Sequence, residues 1–435
     1  MERLIMNDLI EWKNSDNRKP LILKGVRQSG KTFILKLFGQ EHYEDIAYFN
    51  FEETEELKDI FQTDYNTKRI LLDLGVTINK TIKPQTTLII FDEIQECGRA
   101  IAALKYFCEN SPEYHIVCAG SLLGIALSKQ PSFPVGKVDF LSLYPMNFNE
   151  FLLANGEEML SDYVINFQKE NRISDPIATK LSNYLKEFYI TGGMPEAVST
   201  WIKTHDVEKV EKVQQAILDS YQLVFSKHAP LKDFPKIAAI WQSIPEQLAK
   251  ENNKFIFGQV RKGARARDLE DALIWLENAG LVYKVYKISK PFMPLSSYSE
   301  PSSFKLYLCD IGLLRKMSKL PVEAILNLTQ NYTEFKGAMT ENYVLCEILK
   351  TTQEIPFYWT SGNTAEVDFV IQYKSEIIPF EVKSEKNVKS KSLNEYKKKY
   401  EPKYAIRTSM LSNTGGSNIL RIPLYMIAQL KNFVD

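Results

Sequence analysis

Apolar and polar positions divide the chain into four stretches of different rhythm. Residues 2 to 13 carry the spacing of an amphipathic helix. Short, predominantly apolar runs follow at Leu21-Ile22-Leu23-Lys24, Ile46-Ala47-Tyr48-Phe49-Asn50-Phe51, Thr87 to Glu93, His115 to Ser121 and, more briefly, Val138 to Leu143. Helical segments separate them. Strands without polar alternation, joined by helices, predict a five-stranded parallel sheet covered on both faces. Residues 150 to 230 then read as helices, interrupted by the turn Thr191-Gly192-Gly193-Met194-Pro195, where the glycines predict a packing turn. A helix over Phe234 to Lys250, the loop Glu251-Asn252-Asn253-Lys254, a helix from Ala266 closed by Gly280, and a strand at Leu281 to Tyr286 come next. The last stretch predicts a helix at Tyr332 to Lys350 and strands at Pro356 to Thr360, Ala365 to Ile371 and Ile377 to Lys383. A lysine-rich helix (Lys391 to Tyr400) and a strand at Tyr404 to Ile406 close it. The four stretches divide as 1–150, 151–230, 231–300 and 301–435.

Composition changes this picture little. A length of 435 residues asks for several domains, and 44% hydrophobic residues can bury their cores. Lys+Arg of 54 against Asp+Glu of 54 leaves no net charge, so any attraction to nucleic acid must come from a local face. The cysteines (Cys97, Cys108, Cys118, Cys309, Cys346) contain no C-x-x-C, and the four histidines are scattered. Neither a disulfide framework nor a zinc site is indicated. Charge interrupts the first residues too early for a signal peptide, and no apolar run reaches membrane-spanning length. A cytoplasmic protein with no membrane partner is expected.

The clearest chemistry is in Gly25-Val26-Arg27-Gln28-Ser29-Gly30-Lys31-Thr32, a G-x-x-x-x-G-K-T octet between a strand and a helix. Gly25 and Gly30 permit backbone angles that turn successive N–H groups toward one anion. The helix opening near Lys31 adds its positive N-terminal end. Lys31 is placed to reach the β/γ-phosphates of ATP, and the Thr32 hydroxyl to ligate Mg²⁺. A chance octet is expected in only about one or two chains per hundred of this length. Thr87 to Glu93 ends in paired carboxylates on the edge where open α/β sheets bind ligands. Asp92 can hold the water shell of Mg²⁺, and Glu93 can orient or deprotonate the attacking water. Ser121 ends the next strand, as a γ-phosphate sensor or as a helix N-cap.

These residues together resemble an AAA-type P-loop ATPase of the bacterial and archaeal group that carries a C-terminal domain of unknown function. The resemblance rests on the octet, on Phe91-Asp92-Glu93-Ile94-Gln95 and on Ala119-Gly120-Ser121. It continues through Leu143-Tyr144-Pro145-Met146-Asn147-Phe148-Asn149-Glu150-Phe151 and Gly192-Gly193-Met194-Pro195-Glu196-Ala197. It implies an ATPase core over 1–150 and a helical lid over 151–230. One departure is Gly136-Lys137, where the family commonly has Gly-Arg. A lysine keeps the charge but not the bidentate fork. No arginine finger is assigned; Arg27 and Arg99 stand nearest the site in sequence.

Helix, turn, helix and strand over 231–300 resemble a winged-helix module. Lys254, Arg261, Lys262, Arg265 and Arg267 lie before or at the start of its second helix, where DNA phosphates would be met; a solvated basic face is the competing reading. Asp368, Glu381 and Lys383, with Glu341 on the preceding helix, stand as D-(x)n-E-x-K, which resembles the restriction-endonuclease-like fold over 301–435. Such a set implies Mg²⁺ or Mn²⁺ held by Glu341, Asp368 and Glu381, with Lys383 beside the developing charge. Charges on the solvent face of a strand pair are the alternative. Lys386, Lys389, Lys391, Lys397, Lys398 and Lys399 add a basic patch beside them. Two functions remain open: an ATPase whose nucleotide state controls a DNA-binding, nuclease-like half, or a nucleotide-dependent switch that binds a protein partner through an inactive one. Oligomeric state is not expressed in these motifs.

Overall fold

The computed structural model describes residues 1–120, 124, 133–168, 171–250, 254–327, 333–362, 365–384, 391–410 and 419–434. Ser121, Lys386 and Lys389 lie outside them. The chain divides into two compact units, one of residues 2–144 with 278–280 and one of 145–277 with 281–435.

In the first unit the apolar runs form β1 (Leu21–Lys24), β2 (Asp45–Asn50), β3 (Thr87–Asp92), β4 (His115–Ala119) and β5 (Asp139–Ser142). Their order is β2-β3-β4-β1-β5, and every neighbouring pair is parallel. Alternate residues of β3 explain why the run is apolar throughout. Ile89 and Phe91 enter a core with Phe49, Leu104 and Phe107. Leu88 and Ile90 enter another, on the opposite face, with Leu35, Phe38 and Val117. A strand buried on both faces has no use for polar alternation. The fold class here is mixed α/β with a five-stranded parallel sheet, as the sequence predicts.

The second unit opens with helices, among them Phe148–Ala154, Asp175–Thr191, Pro195–Thr204 and Val207–His228. The Gly192-Gly193 turn is a packing element. Met146 donates its N–H to the Gly193 carbonyl (2.6 Å), and a Cβ on Gly193 would lie 2.1 Å from the Met146 oxygen. Asp310 accepts from the Gly193 N–H (2.6 Å) and caps the helix Ile311–Met317 through the Leu313 N–H.

The rest of the unit is a seven-stranded sheet: β6 (Val282–Ile288), β7 (Ser299–Leu308), β8 (Phe357–Thr360), β9 (Glu366–Tyr373), β10 (Glu376–Val382), β11 (Ile406–Ser409) and β12 (Leu420–Pro423). Their order is β12-β11-β10-β9-β8-β6-β7. The β6–β7 hairpin follows the helix Ala266–Asn278 as a wing would, yet it is part of this sheet through a parallel pairing of Lys287 and Ile288 with Tyr358 and Trp359. Residue 300, the edge of the third sequence stretch, falls inside β7. The helix Thr333–Thr352 packs against β7 and β10. No described helix is long and apolar enough to cross a membrane, and all five cysteines are free thiols.

Candidate nucleotide site and a second charged cluster

The phosphate loop forms because its first glycine can go where no side chain fits. Gly25 has φ 157°, and a Cβ there would lie 2.3 Å from the Leu143 carbonyl oxygen. The loop then passes Gln28 at φ 66° and Gly30 at φ 94°, and the helix Lys31–His42 begins. Lys31 is buried, its ammonium donating to the carbonyls of Gly25 (2.9 Å) and Val26 (3.0 Å). Burial pushes its pKa down to about 8, against the opposing pull of Glu93 and Asp92. The loop's own carbonyl oxygens hold the Lys31 charge.

Thr32 donates its hydroxyl to the Asp92 carboxylate at 2.8 Å. Thus β1's helix and the end of β3 meet, although β4 lies between their strands. Tyr48 donates to the same carboxylate oxygen (2.8 Å), and the Glu93 N–H to the other (3.1 Å). Glu93 sits just past the strand at φ 48°, with the Gln95 amide donating to its carboxylate at 2.5 Å. Its backbone turns out of the sheet there, which leaves it only half-buried beside fully buried β3.

Arg3 carries no motif and was not foreseen. Its buried guanidinium donates to the Ser29 carbonyl (2.9 Å) and the Tyr144 carbonyl (2.7 Å), tying the loop to the residue after Leu143. Only its place ahead of an amphipathic helix could have drawn notice. Of the residues considered as arginine fingers, Arg99 donates to the Phe61 carbonyl (2.6 Å) and covers the Tyr65 ring. Lys137 pairs with Glu109 at 2.9 Å.

In the second unit, Asp368 and Glu381 come together as the strand register requires. Phe380 pairs with Phe369, so Glu381 stands opposite Asp368 on one face, and Asp368 accepts from the Val382 N–H (2.7 Å). Lys383 pairs with Glu381 at 3.3 Å, while the second Glu381 oxygen is buried without a hydrogen-bond partner. Glu341 lies within electrostatic reach of Asp368. It accepts from the Tyr307 hydroxyl (2.8 Å) and from Lys305 (3.4 Å), whose ammonium also reaches Glu366 at 2.5 Å. Burial and the Glu341 charge raise the Asp368 carboxyl above the usual range. Among the described residues, no group of three or more His, Cys, Asp or Glu side chains is arranged to hold a metal ion. Within the expected Glu341, Asp368, Glu381 set, lysines and a backbone N–H take some of the oxygens, and one Glu381 oxygen is left without a partner. Lys305 and Glu366 are the residues that sequence reasoning missed. A lysine inside Phe304-Lys305-Leu306-Tyr307-Leu308 was the available signal. The five basic residues near the Ala266–Asn278 helix, Lys254, Arg261, Lys262, Arg265 and Arg267, are all exposed.

Residues 17–152 match a family model described as an AAA domain. The phosphate loop lies within that match. Two other models, each described as a domain of unknown function, match 182–324 (DUF8612) and 336–427 (DUF4143). An uncharacterized protein of Methanocaldococcus jannaschii, MJ1544, is 25% identical over 377 residues, 84% of this chain and 75% of that one. One of Haemophilus influenzae is 24% identical over 393 residues, 87% and 85% of the two chains. Among solved structures, the Walker-type ATPase paby2304 of Pyrococcus abyssi aligns with 73% of this chain and 95% of its own at 14% identity, TM-score 0.47. The Aeropyrum pernix ORC1 protein in complex with DNA aligns with 74% and 92% at 14% identity, TM-score 0.29.

Proposed function

We propose that this chain binds and hydrolyses ATP with Mg²⁺, and that its nucleotide state controls a C-terminal half that binds DNA. The carrying observation is the hydrogen bond from the Thr32 hydroxyl to Asp92, 2.8 Å, beside a buried Lys31 in a G-x-x-x-x-G-K-T loop. In this reading Lys31 leaves the Gly25 and Val26 carbonyls for the β/γ-phosphates. Thr32 and Asp92 are the residues that would hold Mg²⁺, which neutralises the phosphate oxygens when bound. Glu93, released from Gln95, orients or deprotonates water, and Ser121 senses the γ-phosphate. Exposed Arg261, Lys262, Arg265 and Arg267 suit DNA phosphates.

Phosphate release and nucleotide binding test the first half. Lys31→Ala is expected to lose nucleotide binding, and Glu93→Gln to bind ATP with turnover reduced roughly 10²–10⁴-fold. Equal phosphate release by wild type and both variants would refute the assignment.

A second reading makes the chain a nucleotide-dependent switch for a protein partner, with a catalytically inactive nuclease-like half. The ion pairs that Lys305 and Lys383 make with the candidate ligands favour that inactivity. Cleavage of plasmid or linear DNA with Mg²⁺ or Mn²⁺ by wild type, lost in Asp368→Ala, would count against it.

A further inference from the structure

Divalent cations settle where several carboxylate oxygens converge and no other cation already stands. In the C-terminal sheet the carboxylates do converge, but on a lysine. Lys305 lies mid-strand in β7, where alternation puts it on the same face as Tyr307, toward the helix that carries Glu341. Its side chain is 1% exposed. The ammonium meets Glu366 at 2.5 Å and Glu341 at 3.4 Å, stands 5.3 Å from the Tyr358 ring centre, and lies within electrostatic range of Asp368. Glu341 gives a further lone pair to the Tyr307 hydroxyl.

From this arrangement we infer that Lys305 is a tethered cation that takes the place a divalent metal holds in D-E-x-K centres. The inference rests on the nuclease-like reading of this half. A buried ammonium needs paired carboxylates as much as they need it, because either charge alone would be stranded away from water. A metal bound to the same oxygens would lie at about 2.0–2.6 Å from them, within repulsive distance of the ammonium. The two cations therefore exclude each other, and the one joined to the chain cannot diffuse away. Glu381, the other candidate ligand, pairs through one oxygen with Lys383, and its second oxygen is buried without a hydrogen-bond partner.

The test uses the full chain without nucleotide and counts bound Mn²⁺ by the loss of its free electron-paramagnetic-resonance signal. Wild type and Asp368→Asn are expected to bind the same amount. Lys305→Met, which keeps the length and removes the charge, is expected to gain one Mn²⁺ per chain and a Mn²⁺-dependent rise in unfolding temperature. Both gains should vanish in Lys305→Met/Asp368→Asn. Mn²⁺ bound by wild type and lost in Asp368→Asn would overturn the inference, as would a folded Lys305→Met that gains none. If Lys305→Met does not fold, the wild-type and Asp368→Asn comparison still decides. DNA retention on a filter, measured on the same wild-type sample, reports separately on the DNA-binding reading.

Discussion

Lys31 carries a pH dependence with a definite sign. Burial holds its pKa at about 8 before nucleotide arrives, below the ordinary 10.5. A bound triphosphate favours the charged form and raises that value again. The neutral amine that predominates above about pH 8 must therefore take up a proton when ATP binds, and ATP affinity is expected to fall from there toward pH 10. The limit is about tenfold per pH unit. Calorimetry at pH 9 in buffers of different ionisation enthalpy should show proton uptake; a pH-independent affinity would contradict the burial of this lysine. Asp92 illustrates the same economy of position. A single carboxylate oxygen takes both the Thr32 and Tyr48 hydroxyls, so the fold itself fixes the strand end.

Two loops at the scale of elements are held by side chains from far along the chain. Arg3 joins the carbonyls of Ser29 and Tyr144, and Asp310 joins the N–H groups of Gly193 and Leu313. Each fills polar groups that burial would leave unpaired, at a cost of about 1–3 kcal/mol when one is lost. Arg3→Ala is expected to weaken both folding stability and ATP binding, because it frees the phosphate loop. Asp310→Ala should lower stability by a similar amount and leave ATP affinity intact. Denaturant titration and nucleotide binding on the same samples separate the two cases. Gly193→Ala should be worse than either, since its Cβ would stand 2.1 Å from the Met146 oxygen.

Over the whole molecule, burial of Glu347 ties stability to pH. Glu347 lies on the helix Thr333–Thr352, fully buried, and accepts from the Phe148 N–H at 3.2 Å. Burial raises its pKa to about 7 from 4.5, against the pull of Lys350. The folded chain thus keeps a proton that the unfolded chain gives up, so this contribution is complete below about pH 4.5 and is lost as pH rises through about 7. The whole window is worth roughly 3 kcal/mol. Glu347→Gln should flatten the slope of unfolding free energy between pH 5 and 7.5; an unchanged slope would place the titration elsewhere. The proposed DNA binding has its own test. Replacing Arg265 and Arg267 with alanine should weaken binding to all sequences alike and lessen its salt dependence by about one for each phosphate left without its cation.

Contiguous residues encode the first part of this protein by themselves. Strand, glycine loop and helix at 21–38 need only local geometry, and the fully apolar run at 88–91 needs only the fact that both faces are covered. Glu381 and Lys383 could be set on one strand face from the strand period alone, whereas the register that puts Asp368 opposite Glu381 came from the fold. Tertiary structure decided the rest, because it depends on which distant segments meet. The β6–β7 hairpin joins the seven-stranded sheet through a parallel pairing with β8, which no local pattern announces. Arg3 reads as an ordinary N-terminal residue until its two carbonyls are in place. Lys305 reads as one charge in an apolar strand until folding brings Glu341 and Glu366 to it. A charge in a sequence has no partner written beside it; only packing that removes water decides which opposite charge it must have.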